Sequence, residues 1–133
     1  MREIKFRLRL NNKMVGCEKW YSGSNKDGNW VAKPQWLYSA NRKNWSPRYI
    51  FHNAKDLFTG LNDKNGKEIY EGDIVTYETG GCYKIEWCNN FAKFMVIDIK
   101  EGLESSFDGV KCMTVIGNRY ENHGTLEGTN AAD

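Results

Sequence analysis

Four carboxylates around one glycine-containing turn are the residues whose types and spacing could do acid–base or metal chemistry: Asp63, Glu68, Glu71 and Asp73. Paired carboxylates transfer protons when a pocket shifts the pKa of one of them, and oxygen ligands at alternate positions bind calcium. The calcium loop needs glycine at its sixth position, whereas Gly66 is the fourth residue counted from Asp63. Because Asp favours turns for local hydrogen bonding, we interpret the carboxylates as turn residues. An enzyme that uses them is a third hypothesis.

The cysteines and histidines show no catalytic or metal-binding spacing. Cys17, Cys82, Cys88 and Cys112 form no Cys-x-x-Cys pair, the spacing that many zinc sites use. On one extended strand Cys82 and Cys88 would lie about 20 Å apart, too far for a shared metal or a disulfide. His52 has no cysteine or serine beside it in a catalytic pattern. We therefore predict no catalytic residues, no cofactor and no metal site.

The segment 63–66, Asp-Lys-Asn-Gly, predicts a β-hairpin. Asp is favoured at the first position and Gly at the fourth position of a type I turn, and a left-handed glycine closes a three-residue hairpin loop. This loop pairs Asp63 with Lys67 and Leu61 with Ile69. The alternative, a two-residue Asn-Gly turn, would set two acidic residues opposite each other, which is unfavourable.

The N-terminal residues alternate between apolar and basic types. Apolar residues occupy positions 4, 6, 8 and 10, and basic residues occupy positions 5, 7 and 9. This period of two predicts a half-buried strand, and its basic side is typical of a solvated edge strand whose charges deter aggregation. A turn at 11–13 and a return strand follow. Residues 53–58 predict one or two helical turns capped by Asn53.

The C-terminal part contains short strand-like segments separated by tight turns, which is the pattern of a small barrel. Strands are predicted over 73–78, 82–87, 91–97 and 111–116, with a polar loop at 101–109 and a frayed end from residue 124. The aromatic content of 14% argues against disorder. The longest apolar run, 94–97, is far shorter than the roughly 20 residues that cross a bilayer. These features predict a cytoplasmic protein that does not bind membranes.

Charge and aromatic residues concentrate in the N-terminal half. Residues 1–58 hold 12 Lys/Arg and 4 Asp/Glu, a net charge of +8, and residues 59–133 hold 7 and 13, a net charge of −6. Such asymmetry indicates a polyanion-binding half, self-association through opposite charges, or attraction within one fold. Residues 19–51 interleave aromatic and basic side chains. That pattern suits single-stranded nucleic acid binding, and it also suits an aromatic core, which we favour.

Candidate binding residues for a protein partner or a nucleic acid come from this segment and from the basic side of the first strand. They are Arg7, Arg9, Lys19, Trp20, Trp30, Lys33, Trp36, Arg42, Lys43, Trp45 and Arg48.

Three ordered blocks resemble the YopX family of phage and prophage proteins: residues 1–7 (Met-Arg-Glu-Ile-Lys-Phe-Arg), residues 58–75, and residues 115–122. Together the blocks span nearly the whole chain, although residues 17–50 match none of the motifs of the family. The resemblance implies an intracellular, phage-encoded protein with an SH3-like barrel in its C-terminal part. It implies no particular activity.

We therefore expect a mainly β protein. Residues 1–57 form a basic, aromatic-rich β subdomain packed on an SH3-like β-barrel subdomain at residues 58–133, within a single compact unit. The first functional hypothesis is a non-catalytic protein-interaction module, because Trp, Tyr and Arg dominate interfaces. The second is nucleic-acid binding through residues 19–51.

Overall fold

The computed structural model describes residues 3–24, 27–29, 33–105 and 107–121, which form a mainly β protein with two antiparallel sheets. The chain divides into two compact units, Met1–Leu57 and Phe58–Asp133. Within the described residues, no helix has the length and apolar character needed to cross a membrane. The strands are β1 (Lys5–Leu10), β2 (Lys13–Tyr21), β3 (Gln35–Ser39), β4 (Ala54–Asn62), β5 (Glu68–Tyr70), β6 (Asp73–Tyr77), β7 (Gly80–Cys88), β8 (Lys93–Asp98), β9 (Glu104–Ser105) and β10 (Thr114–Asn118).

The first unit is a sheet in the order β3-β2-β1-β4. The predicted turn between β1 and β2 is confirmed: Asn11 and Asn12 both have positive φ, at 52° and 68°. This is the backbone pattern of a type I′ turn, whose twist matches that of the flanking strands, and Asn tolerates it. Leu8 and Cys17 are buried at the centre of this sheet.

The predicted solvated edge strand at the N-terminus is wrong. β1 pairs with β2 on one side and with β4 on the other, so it is a central strand. Arg7 and Arg9 are only 6% and 9% exposed. Both guanidinium groups bind the carboxylate of Asp56 on β4, with Nη2–oxygen distances of 3.1 and 3.0 Å. Buried charges need such a partner because their removal from water is costly. The alternation of apolar and basic residues in the sequence could not identify Asp56 as the partner.

The predicted helical turns at residues 53–58 are also wrong, because this segment enters β4. The Asn53 N–H donates to the Arg9 carbonyl at 2.9 Å, and Leu57 then pairs with Phe6. Strand pairing therefore overrides the local capping preference of Asn53. Within the described residues the helical segment is a 3-10 helix at Phe107–Cys112. It replaces the end of the loop predicted at 101–109 and the start of the strand predicted at 111–116.

The second unit contains the sheet β10-β6-β7-β8-β9, while the end of β4 pairs with β5. In the part of the chain that the structure describes, the five-stranded sheet has β10 and β9 at its edges and no closed barrel forms. The SH3-like barrel is therefore not confirmed. The fully buried side chains of this unit are mainly aliphatic or aromatic and include Ile69, Tyr70, Val75, Ile85, Val96, Val110 and Met113.

The hairpin at residues 63–66 has the predicted three-residue loop. The Asp63 N–H donates to the Lys67 carbonyl at 2.8 Å, and the Gly66 N–H donates to the Asp63 carbonyl at 3.0 Å. Gly66 has a φ of 84°, the left-handed conformation that closes the loop. The pairing of β4 with β5 changes register between Phe58 and Asn62. The predicted pair of Leu61 with Ile69 falls within this irregular stretch.

Replacing Gly66 by alanine should lower the free energy of unfolding by about 1–2 kcal/mol, the usual cost of the left-handed conformation for a residue with a Cβ. A Cβ at this position meets no atom of the described residues within 4 Å, so backbone conformation sets the cost. Urea denaturation followed by circular dichroism measures the change. Gly66→Asn is the control and should cost less, because Asn tolerates this conformation. Equal stability of wild type and Gly66→Ala would contradict the assigned turn.

Candidate interaction surface

Two exposed tryptophans lie next to each other on one side of the first unit's sheet. Trp20 on β2 pairs directly with Trp36 on β3, and paired residues of antiparallel strands point to the same side. Their ring centroids lie 5.5 Å apart at an interplanar angle of 69°, the edge-to-face geometry that aromatic pairs prefer. The Trp36 ring also lies 6.2 Å from the Phe6 ring of β1. Trp20 is 41% exposed and Trp36 is 36% exposed.

A second set of rings continues from the same side. Tyr38 follows Trp36 by two residues on β3, and its ring centroid lies 5.3 Å from that of Tyr49. Tyr49 is exposed and its ring lies 5.3 Å from the His52 ring. The His52 Nδ1 lies 2.7 Å from the Ile50 carbonyl oxygen, so Nδ1 carries a proton and donates. We call Phe6, Trp20, Trp36, Tyr38 and Tyr49 the aromatic face.

One ion pair lies among these rings, and its two charges neutralise each other. The Lys55 Nζ is 2.7 Å from Oε1 of Glu18, whose side chain is buried. The same ammonium lies 4.5 Å from the centroid of Phe6 and 5.7 Å from that of Trp36, within cation–π range. Burial raises the pKa of Tyr38 to about 12, and the hydrogen bond to Glu18 and its charge add to the rise. The phenol therefore stays neutral at physiological pH.

The structure divides the predicted binding residues between the two sides of this sheet. Trp20 and Trp36 belong to the aromatic face. On the opposite side the Lys19 Nζ lies 4.3 Å from the centroid of the Trp45 ring, and Arg7 is buried there with Arg9 on Asp56. No single stripe of rings and cations joins these groups among the described residues.

The remaining candidates lie in loops or outside the described residues. Lys33 is exposed just before β3, and Arg42, Lys43 and Arg48 are exposed in the segment that follows β3. Trp30 lies outside the described residues.

Of the aromatic face, the candidate binding residues include only Trp20 and Trp36. They lack Phe6, Tyr38 and Tyr49, and also the ion pair of Glu18 and Lys55. The available signal for Phe6 is the alternation that places it among the apolar residues of β1. Glu18 and Lys55 are 37 residues apart, so only the strand order reveals their contact.

The four carboxylates near the hairpin take part in local structure. Two backbone N–H groups of the turn, from Asn65 and Lys67, donate to Oδ1 of Asp63 at 2.8 and 2.9 Å. Asp73 Oδ2 accepts the Tyr70 N–H at 2.8 Å. These contacts agree with the interpretation as turn residues.

Of the other two carboxylates, Glu68 is the first residue of β5 and Glu71 lies in the turn that follows it. Glu68 Oε1 accepts a hydrogen bond from the Tyr70 hydroxyl at 2.8 Å. Glu71 lines a shallow depression together with Glu86, Trp87 and Arg119. In the described part of the chain no three His, Cys, Asp or Glu side chains are grouped so that they could hold a metal ion.

Ten described strands in two antiparallel sheets, with an exposed ring cluster on the first unit, define a mainly β protein with a candidate interaction surface. The chain belongs to the YopX family: the family model described as YopX protein matches residues 5–127. The solved structure of protein EF1440 from Enterococcus faecalis is similar, with a TM-score of 0.49 and 22% identity, covering 94% of this chain and 96% of that chain. Among curated proteins, no sequence matches this chain.

Proposed function

We propose that this protein is a non-catalytic module that binds a protein partner through the aromatic face. The observation that carries the proposal is the exposure of Trp20 and Trp36 side by side on paired strands. Tryptophan is enriched among residues that dominate binding energy, because a large ring buries much area while few torsions are immobilised. Family membership suggests a phage-type protein, and we place its action in the host cytoplasm.

The charge of the aromatic face favours a protein partner over a nucleic acid. Lys55 is paired with Glu18, so these two side chains add no net charge beside the tryptophans. A nucleic acid site instead needs cations that neutralise phosphates and release counterions. An apolar segment of a partner protein, with its own rings or aliphatic side chains, matches this neutral surface better.

Nucleic-acid binding remains the second candidate, and one observation supports it. Arg42, Lys43 and Arg48 are exposed in the segment that follows β3, and Trp45 lies within the same segment. Cations beside a ring suit a single strand, whose bases stack while its phosphates are neutralised. This candidate predicts binding that weakens steeply as salt concentration rises.

Replacing Trp20 by alanine should weaken partner binding by about tenfold or more, because a central interface tryptophan commonly contributes over 1.4 kcal/mol. The measurement uses immobilised chain and nuclease-treated lysate of the organism that encodes it, with bound proteins quantified by mass spectrometry. Trp45→Ala is the matched control, since it removes the same ring from the opposite side of the sheet.

A protein retained by wild type and Trp45→Ala but lost with Trp20→Ala would support the aromatic face. Equal retention by all three variants would contradict it. In parallel, purified chain is tested by gel shift with single- and double-stranded DNA and RNA at low salt. A salt-sensitive shift lost with Trp45→Ala and kept with Trp20→Ala would favour the second candidate.

A further inference from the structure

Strand β3 forms one edge of the first unit's sheet. The N–H and C=O of Tyr38 both point away from β2, because they bond to Ser46 at 2.7 and 3.0 Å. Backbone groups of residues two apart in a strand point to the same side, so the N–H and C=O of Trp36 also point out of the sheet. In the described part of the chain, neither of these two Trp36 groups has a hydrogen-bond partner.

The neighbouring strand supports this orientation of Trp36. Trp20, which lies directly opposite Trp36, donates its N–H to the Ile4 carbonyl at 3.1 Å. Its N–H therefore points away from β3. The two tryptophans form a non-hydrogen-bonded pair, in which the side chains lie close together.

The chain itself covers this edge for one residue pair and then leaves it. Tyr38 and Ser46 form an isolated antiparallel bridge, and an antiparallel strand continuing from it would set Arg48 opposite Trp36. Pro47 intervenes, and the Arg48 N–H donates to Ser46 Oγ at 3.4 Å instead. The segment thus turns away before it reaches the backbone groups of Trp36.

A proline also limits the edge at the start of β3. Pro34 directly precedes the strand and has no N–H to donate. We call the stretch Gln35–Leu37, with Trp36 at its centre, the open edge. Unpaired edge groups are a template for another strand, but a stretch this short needs side-chain contacts as well.

A strand added at the open edge would bring one of its side chains onto the aromatic face. The residue that exchanges backbone hydrogen bonds with Trp36 lies directly opposite it, and directly opposite residues point to the same side of a sheet. That side chain would lie beside the Trp36 ring, which is 36% exposed. An apolar side chain suits this position, because it would cover the ring from water.

The charge near the open edge is positive. Residues 33–52 contain four Lys/Arg and no Asp/Glu. Lys33, just before β3, and Arg48, just after the bridge, are both exposed. Cations at the rim of an interface attract a partner of opposite charge and speed its association. The open edge is therefore complementary to a segment with acidic residues beside its apolar one.

We propose that the partner of the aromatic face binds as an added β-strand. An extended, acidic segment of the partner protein exchanges backbone hydrogen bonds with Trp36 and packs one apolar side chain against the exposed tryptophans. Backbone hydrogen bonds set the register of the segment, and the side-chain contact gives specificity. This inference rests on the proposed function, since it states how a protein partner uses the aromatic face.

A displayed library of random peptides, selected on the immobilised whole chain, supplies the probes. Peptides that bind wild type and Trp45→Ala but not Trp20→Ala are kept, and the tightest is N-methylated at each residue in turn. One N-methyl group should weaken binding by about tenfold or more, because it removes the N–H that bonds to the Trp36 carbonyl. N-methylation of the residue on either side should have little effect, because those N–H groups point away from the edge.

Amide hydrogen exchange of the chain gives the matched measurement. With saturating peptide, the Trp36 N–H should exchange about tenfold or more slowly than in the free chain, because it gains an acceptor. The Tyr38 N–H is the control and should change far less, since it already bonds to Ser46.

Three results would overturn the proposal. A peptide that needs Trp20 but leaves Trp36 exchange unchanged and has no N-methyl-sensitive residue would exclude strand addition, while protein binding by the aromatic face would stand. Slow Trp36 exchange in a peptide-free dimer would assign the open edge to a second copy of the chain. Failure to select any Trp20-dependent peptide would also reject the proposal, and the lysate experiment would then decide the proposed function separately.

Discussion

Asp56→Asn is expected to lower the free energy of unfolding of the first unit by about 3–5 kcal/mol, the usual cost of removing one partner from a buried ion pair. Asp56 is 1% exposed and binds two buried guanidinium groups. Asparagine has nearly the same shape but no charge, so Arg7 and Arg9 would remain buried without their shared counter-charge. Few surface substitutions approach this size.

Tryptophan fluorescence during urea denaturation measures this effect in a Trp87→Phe background. The chain has five tryptophans, and with Trp87 removed the other four all lie in the first unit. Glu3→Gln is the control: it breaks an ion pair with Lys5 at 3.1 Å in which the Glu3 side chain is 45% exposed. The Lys5 side chain is buried, but because the Glu3 carboxylate is solvated the pair should contribute only about 0–1 kcal/mol. If Asp56→Asn and Glu3→Gln cost the same, the buried arrangement of charges is wrong.

Asp63→Ala is expected to lower the free energy of unfolding by about 2–4 kcal/mol, since hydrogen bonds to a charged acceptor contribute about 1.5–3 kcal/mol each. Its Oδ1 accepts two N–H groups of the turn, and its Oδ2 accepts the buried N–H of Val115 at 2.9 Å. Alanine would leave the Val115 N–H buried without this acceptor. The hairpin and β10 would both be weakened, because one carboxylate bonds to both.

The contribution of Asp63 to the free energy of unfolding should decrease as the pH falls. Burial alone would raise the pKa of Asp63, but hydrogen bonds from Val115, Lys67 and Asn65 lower it below its ordinary value. A carboxyl group with a lowered folded-state pKa stabilises the fold above its unfolded-state pKa, which is about 3.9. That stabilisation is lost as the pH falls through the folded-state pKa.

Urea denaturation of wild type and Asp63→Ala between neutral pH and about pH 3 measures this dependence. The difference in stability should be constant near neutrality and should shrink on acidification below about pH 4. Glu101→Gln, which removes an exposed carboxylate of the same unit, should follow the wild-type pH profile. A difference between wild type and Asp63→Ala that grows on acidification would contradict the assignment.

The parts of the fold that sequence alone predicts are those with local causes. The turn at Asn11 and Asn12 and the hairpin at residues 63–66 follow from backbone preferences of Asn, Asp and Gly within four residues. The alternation of β1 also follows from adjacent residues. Its central position does not, because the partner carboxylate lies 49 residues from Arg7 in the sequence. Barrel closure is a property of the whole sheet, and short strands with tight turns are equally compatible with an open one.

Sequence alone names two residues of the candidate surface, and it does not give their arrangement. Trp20 and Trp36 were named from their segment, and their direct pairing depends on the register between β2 and β3. That register also separates them from Trp45, which lies on the other side with Lys19. A sequence that mixes aromatic and basic residues does not show which side of the sheet each residue faces. After a long connection the next strand can pair in either register, and each register places different residues on a given side.

Strand β4 bears on how the chain could be dissected. Residues Ala54–Leu57 pair with β1, whereas Phe58 and Asn62 pair with β5, so one continuous strand supplies hydrogen bonds to two ladders. Cleavage or truncation after Leu57 would give each fragment only part of this strand and would expose the unpaired backbone of its neighbour. Fragments designed to isolate either half should therefore overlap, each retaining the complete stretch from Ala54 to Asn62.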